Sequence, residues 1–233
     1  MKVEIAVLCY NEAKNLPALE EALAAVHASV TGLELNFVIV DNGSLDDTQT
    51  AIKPLLERLL FTRLLTIPVN QGYGYGVRTA LEALSGNVIG FMWGDNQFDA
   101  VVLKSMIQTF VDQSTVQVVK TYRTKRYDGR LRLLVSKVYQ LVFRLLYGIY
   151  THDINSGPKL FRADFLQKIK PFRSNDWFID AELMIKSTRN SSSSQIVEFP
   201  IAFYPRKFGK SNVRLSTCFQ FFWNLIKYKI VNL

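Results

Sequence analysis

The chain reads as an α/β protein: a mostly parallel, mixed sheet with helices on both faces, forming one domain with a C-terminal extension. Three observations predict this. Short apolar runs of strand type alternate with helical patterns through the first half, and each run ends in a cluster of polar and glycine residues. The 233 residues, 48% hydrophobic and 21% charged, are enough for a sizeable core.

The first strand is "VEIAVLCY" (residues 3–10), followed by the helical pattern "NLPALEEALAAVHASV" (15–30). The strand "LNFVIVD" (35–41) then leads through "VDNGSLDDTQTA" into a second helix, "DDTQTAIKPLLERLL" (46–60), which Asp46 or Asp47 is expected to cap. A third strand, "RLLTIPV" (63–69), precedes the helix "GVRTALEALS" (76–85), and "NVIGFMW" (87–93) is the fourth strand. Towards the C-terminus, "RNSSSSQ" (189–195) reads as a loop before the strand "IVEFPIAFY" (196–204).

In such sheets ligands bind beyond the carboxyl ends of the strands. The residues to weigh are therefore Tyr10 to Glu12, Asp41 to Ser44, Asn70 to Gly76 and Gly94 to Gln97. In "GFMWGDNQFDA" (90–100), Asp95, Gln97 and Asp99 offer hard oxygen ligands for a divalent cation; the alternative is a polar turn with Asp99 capping the next helix. Gly72, Gly74 and Gly76 lie between a strand and a helix. Bare N–H groups there can face an anion, with Arg78 adding charge, or the glycines can simply make a tight connection.

The net charge of +8 is concentrated in residues 120–150 and 204–233, which suits anionic lipid or phosphorylated ligands. Leu133, Leu134, Val138, Leu141, Val142, Leu145 and Leu146 recur at helical spacing with Arg130, Lys137 and Arg144 among them. That pattern fits a membrane-surface helix, and equally a helix packed on the core with a solvated basic face. The charge-free run 215–226 is too short to span a bilayer, so membrane contact is expected to be peripheral. The N-terminal residues lack signal-peptide features. Cys9 and Cys218 fit no metal-ligand spacing, so a reducing, cytoplasmic location is expected with both thiols unreactive. No nucleic-acid-binding motif is present.

Taken in order, "LCYNEAKNLP", "VIVDNGSLDDT", "NQGYGYGVRTAL", "GDNQFD", "DINSGPKLFRADFL", "NDWFIDAELMIK" and "IVEFPIAFYPRKFGKSNVR" resemble the motif series of family 2 glycosyltransferases with the GT-A fold. Among them the chain is similar to the polyprenyl-phosphate glycosyltransferases of the dolichol-phosphate mannose synthase type. The resemblance covers nearly the whole chain. It implies a GT-A domain over residues 1–212, with a nucleotide-binding half to about residue 100 and an acceptor half beyond it, then a basic amphipathic helix over 213–233.

The resemblance assigns Tyr10, Glu12 and Asp41 to the nucleoside, and Asp95 and Gln97 to a Mg²⁺ or Mn²⁺ ion and the diphosphate. Leu8, Asn42, Gly72, Gly74, Arg78 and Gly94 complete the nucleotide- and phosphate-binding set. Arg206, Lys210 and Ser211 form a loop closing over phosphates, and Lys159 faces the acceptor or donor phosphate. Asp95, Asp180 and Arg206 are the catalytic candidates, Asp180 as a general base for a hydroxyl acceptor, with Glu182 second. The chain departs from the family pattern at Asn42, Pro158 and Trp93, the last standing where the first Asp of D-x-D falls. A Trp cannot ligate a metal.

The implied reaction moves a sugar from a GDP- or UDP-linked donor to a polyprenyl phosphate, with inversion, at the cytoplasmic face of a membrane. The alternatives are a saccharide or other hydroxyl acceptor, and a nucleotide-sugar-binding protein without catalysis.

Overall fold

The computed structural model describes residues 1–126, 130–208 and 215–231. Seven strands form one sheet: β1 (Lys2–Cys9), β2 (Glu34–Asn42), β3 (Thr62–Ile67), β4 (Val88–Trp93), β5 (Val118–Arg126), β6 (Lys159–Arg162) and β7 (Ile196–Phe203). Their order across the sheet is β3-β2-β1-β4-β6-β5-β7. Strands β1 to β4 pair in parallel, as do β5 and β7, while β6 runs antiparallel to both its neighbours. Reversing β6 brings its first residue, Lys159, to the edge where the parallel strands end.

Register sets the level of the site. Cys9 pairs with Asp41 and Leu8 with Trp93, so the ends of β1, β2 and β4 stand side by side. Every residue of β1 after Lys2 is buried, because helices cover both faces. Val3, Ile5, Val7 and Cys9 point to the face packed by α1 (Leu16–Ser29), α2 (Thr48–Arg58) and α4 (Val102–Asp112). Ala6 and Leu8 point to the other, packed by α3 (Tyr73–Ala83), α6 (Ala163–Lys168) and α7 (Ile179–Asn190).

Some boundaries differ from the sequence expectation. β3 ends at Ile67, two residues early, because Pro68 has no N–H for the ladder. α3 starts at Tyr73 instead of Gly76, since Gly72 takes the left-handed φ of 108° at the N-cap and the helix begins directly after it. At α2, Asp46, one of the two acids expected at its start, accepts the Thr48 N–H at 3.0 Å.

A third core joins α5 (Arg130–Tyr147), α7 and α8 (Leu215–Val231) through Tyr139, Phe143, Phe178, Ile185 and Leu225. The Tyr147 hydroxyl donates to the Leu225 carbonyl at 2.6 Å, tying α8 to α5. α5 packs on the core by one face only. Tyr139 and Phe143 pack on the core, while Leu134, Val138, Leu141 and Leu145 form an exposed stripe, Leu145 at 75% exposure. On α8, Trp223, Ile226 and Ile230 are also exposed, Ile230 at 69%. No helix among the described residues is long and apolar enough to cross a membrane.

The second half of the chain carries a buried ionic frame. Lys120, wholly buried, donates to Glu198 (2.6 Å), the Asp153 carbonyl (2.7 Å) and Thr151 (3.0 Å), and Arg123 grips Asp153 twice, at 2.6 and 3.0 Å. Burial works against the Glu198 charge, yet Lys120, Thr151 and His152 outweigh it and pull its pKa down to about 2. A depressed carboxylate pKa stabilises the fold above the unfolded value and loses that contribution as pH falls through the folded value. The stability gap between wild type and Glu198→Gln is therefore expected to narrow as pH drops from about 4.5 towards 2. Urea melts at each pH would read this gap, and one that stays constant would refute the assignment.

Candidate active site

The site lies on the sheet edge where β1, β2 and β4 end. Two asparagines in the left-handed region, Asn11 (φ 56°) and Asn96 (φ 53°), turn the chain sharply after β1 and β4. Asn96 Nδ2 donates to the Asn15 carbonyl at 2.9 Å, and Asn11 Oδ1 accepts the Leu45 N–H at 2.8 Å. These links cross-brace the turns that carry Glu12, Asp95 and Gln97.

Glu12, Asp95 and Gln97 converge on one guanidinium. Arg206, three residues beyond β7, places Nη1 at 3.2 Å from Glu12 Oε1, Nη2 at 2.9 Å from Asp95 Oδ2 and Nε at 3.1 Å from Gln97 Oε1. Gln97 also holds the backbone of Tyr204, its Nε2 donating to the carbonyl (2.8 Å) and its own carbonyl accepting the Tyr204 N–H (2.6 Å). Asn15 Nδ2 donates to Glu12 Oε2, and Thr48 Oγ1 accepts the Glu12 N–H at 2.8 Å.

Both acids are buried, and burial raises each carboxyl above its usual range, with Arg206 opposing. Behind them, burial pushes the Cys9 thiol up, and Glu12, Asp41 and Asp95 push it further, so three acids surround that side chain. Asp41 itself is buried and accepts the Ser44 N–H at 3.0 Å. Leu8 and Gly94 are joined by the bond from Gly94 N–H to the Leu8 carbonyl (2.9 Å), and Tyr10 is half-buried beside them in sequence.

The glycine turn is occupied by protein. A Cβ at Gly74 would stand 2.4 Å from the Asp176 carbonyl oxygen, one at Gly72 2.4 Å from that of Asn175, and one at Gly76 2.8 Å from the Asn42 amide. The Tyr75 N–H donates to the Asn175 carbonyl at 3.1 Å. Arg78, expected to meet phosphate, instead binds Asn175 Oδ1 (2.7 Å) and the Arg173 carbonyl (3.3 Å). The glycines and Arg78 thus seat the 173–176 loop. Glu182 completes this arrangement by accepting the N–H groups of Arg173 and Ser174 at 3.0 and 2.9 Å. Asn42 donates to the Gly72 carbonyl at 3.4 Å, and its Oδ1 has no partner.

Lys159 is also held by protein groups. Expected to face a phosphate, it is fully buried, with Nζ on Asp180 and on the Ser156 carbonyl (2.6 Å). Its reversed strand enters the sheet interior at that point, and Asp180, in the first turn of α7, is only 1% exposed. Burial raises the Asp180 carboxyl, while Lys159 and a hydrogen bond from Tyr73 draw it back. Tyr73 stacks on Trp177 (4.5 Å between centroids) and accepts the Trp93 indole N–H at 3.0 Å. Trp93 therefore spends its position in an aromatic wall with Tyr73 and Phe203, and offers no oxygen to an ion. Sequence reading missed Tyr73 and Trp177, which only packing brings together. Asp99 accepts the Val101 N–H at 3.0 Å just before α4, as a turn residue leading into that helix. Lys210 and Ser211 lie outside the described residues.

The oxygens of Glu12, Asp95 and Gln97 are hard donors that already surround one cation, which fits a Mg²⁺ or Mn²⁺ ion shared with a diphosphate. Among the described residues, no group of three or more His, Cys, Asp or Glu could hold a metal by itself.

Comparison with known proteins places this arrangement in a family. The model of "Glycosyl transferase family 2" matches residues 4–170. A dodecaprenyl-phosphate galacturonate synthase of Rhizobium johnstonii is 24% identical over 97% of this chain and 66% of its own length. An undecaprenyl-phosphate 4-deoxy-4-formamido-L-arabinose transferase of Serratia proteamaculans is 21% identical, covering 97% of this chain and 67% of its own. The chain thus spans about two thirds of the length of these relatives. A glucosyl-3-phosphoglycerate synthase from Mycobacterium tuberculosis, solved with Mn²⁺, uridine diphosphate and glucosyl-3-phosphoglycerate, superposes with a TM-score of 0.74 at 18% identity, over 99% of this chain and 79% of that one. The fold is that of the GT-A glycosyltransferases. With the family model matched from β1 through α6, this chain belongs to glycosyl transferase family 2.

Proposed function

We propose that this chain transfers a sugar from a nucleoside-diphosphate donor to a polyprenyl phosphate, with inversion at the anomeric carbon. The observation that carries the reading is the convergence of Glu12, Asp95 and Gln97 on Arg206 at the switch between β1 and β4, where ligands of open α/β sheets bind. The GDP- or UDP-linked donor would lay its base against Tyr10 and Asp41. Arg206 would neutralise the diphosphate as it departs, a charge-assisted contact of the fork type that guanidinium makes with phosphate. Asp95, Gln97 and Glu12 would hold the divalent ion, which when bound acts as a Lewis acid on the leaving diphosphate.

The state of the candidate bases supports a phosphate acceptor. A hydroxyl acceptor needs a base, and Asp180 is buried and committed to Lys159 and Tyr73, while Glu182 is committed to the 173–174 backbone. A lipid phosphate is ionised near neutral pH and needs none. One of its oxygens attacks the anomeric carbon as the bond to the diphosphate breaks, and that diphosphate leaves with the bonding electrons. The exposed stripes Leu134–Val138–Leu141–Leu145 and Trp223–Ile226–Ile230, with exposed Lys137, Arg144 and Lys227 beside them, would rest on an anionic bilayer, in keeping with peripheral contact at its cytoplasmic face.

Incubation with labelled UDP- and GDP-sugars, polyprenyl phosphate in anionic vesicles, and Mn²⁺ or Mg²⁺ should yield a lipid-linked sugar. Folded protein that transfers none of these sugars to the lipid would sink the reading, and transfer to a soluble saccharide instead would favour a hydroxyl acceptor.

A further inference from the structure

Arg206 occupies the oxygens that a divalent ion would need. Its three contacts use Nε, Nη1 and Nη2 at once, on acceptors from two separate strand-end turns. The backbone two residues before it is held as well, since Gln97 bonds Tyr204 through both side chain and backbone. Trp93 contributes no oxygen, so Glu12 and Asp95 are the two carboxylates at the site that face a cation, and both are paired with Arg206.

We propose that Arg206 is an internal competing cation: in the nucleotide-free protein its guanidinium holds Glu12, Asp95 and Gln97, and a divalent ion binds tightly only after a diphosphate draws that guanidinium away. The inference rests on the diphosphate reading of the site. Guanidinium pairs with phosphate through the same bidentate geometry it uses for carboxylate, so a diphosphate is a full replacement for the partners it gives up. The arriving diphosphate also supplies the oxygens missing at Trp93. Metal and nucleotide then strengthen each other's binding by the same factor, as linkage requires.

The test is direct Mn²⁺ binding to the full chain, followed by electron paramagnetic resonance of the free ion, without nucleotide and with UDP or GDP. Wild type should bind Mn²⁺ weakly alone and much more tightly with nucleotide. Arg206→Gln should bind Mn²⁺ about tenfold more tightly than wild type without nucleotide, the scale of removing one neighbouring positive charge from a partly screened site. Arg206→Lys, which keeps the charge, should stay within about threefold of wild type, because the charge and not the shape excludes the ion. Adding Asp95→Asn to Arg206→Gln should abolish the gain. Nucleotide-free Mn²⁺ affinity that is equal or lower in Arg206→Gln would overturn the proposal, as would a gain that survives Asp95→Asn. Loss of sugar transfer with the Mn²⁺ difference intact would count against the proposed reaction and not against this competition.

Discussion

Replacing Lys159 by Met is expected to lower unfolding stability by about 3–5 kcal/mol, the usual result of removing one partner of a buried ion pair. Lys159 is fully buried and Asp180 is 1% exposed, so the pair has no solvent to fall back on. Without Lys159 the Asp180 carboxylate keeps Tyr73 as a hydrogen-bond donor but has lost its counter-charge. Asp180→Asn alone should be comparably damaging, because it strands the ammonium beside the Ser156 carbonyl. The double variant Lys159→Met with Asp180→Asn removes both charges and should recover most of the loss. Urea unfolding of the three proteins measures this cycle. A Lys159→Met protein within about 1 kcal/mol of wild type would mean that the pair does not hold β6 to α7.

Asp95→Asn is expected to reduce sugar transfer by about 10²–10³-fold, the range seen when one preorganised electrostatic group is lost from a reacting site. The carboxylate is the closer of the two that grip Arg206, at 2.9 Å against 3.2 Å for Glu12. Its loss both loosens that arginine and removes one of the two carboxylates proposed to hold a divalent ion. Asparagine keeps the size and the bond from the Gln97 N–H, so the melting temperature should move by only a few degrees. Turnover with saturating donor and polyprenyl phosphate, beside a thermal melt, separates the two effects. Turnover within about tenfold of wild type would remove Asp95 from the diphosphate site.

The same residues show how far a linear reading goes. β1, β2 and β4 and the helices between them were legible because apolar runs and helical periods are local patterns. The polar character of the strand ends pointed to Glu12, Asp41, Asp95 and Gln97, and the ordered motifs named the family that the match over residues 4–170 supports. Gly72, Gly74 and Arg78 were open to two readings because a glycine turn looks alike in sequence whether it cradles an anion or a neighbouring loop. The 173–176 loop, about a hundred residues further on, supplies the missing information.

By itself the sequence determined the alternation of strands and helices, the edge on which chemistry gathers and the residue types found there, since each depends on short-range pattern. Only the tertiary structure decided that Arg206 reaches Asp95 across 111 residues of chain, that Lys159 turns inward to Asp180, and that α5 buries one apolar face while exposing another. The physical reason is common to all three. A charge or an apolar face has no fixed partner until the sheet order and the direction of β6 bring distant segments together, and the desolvation that follows then selects which charges pair.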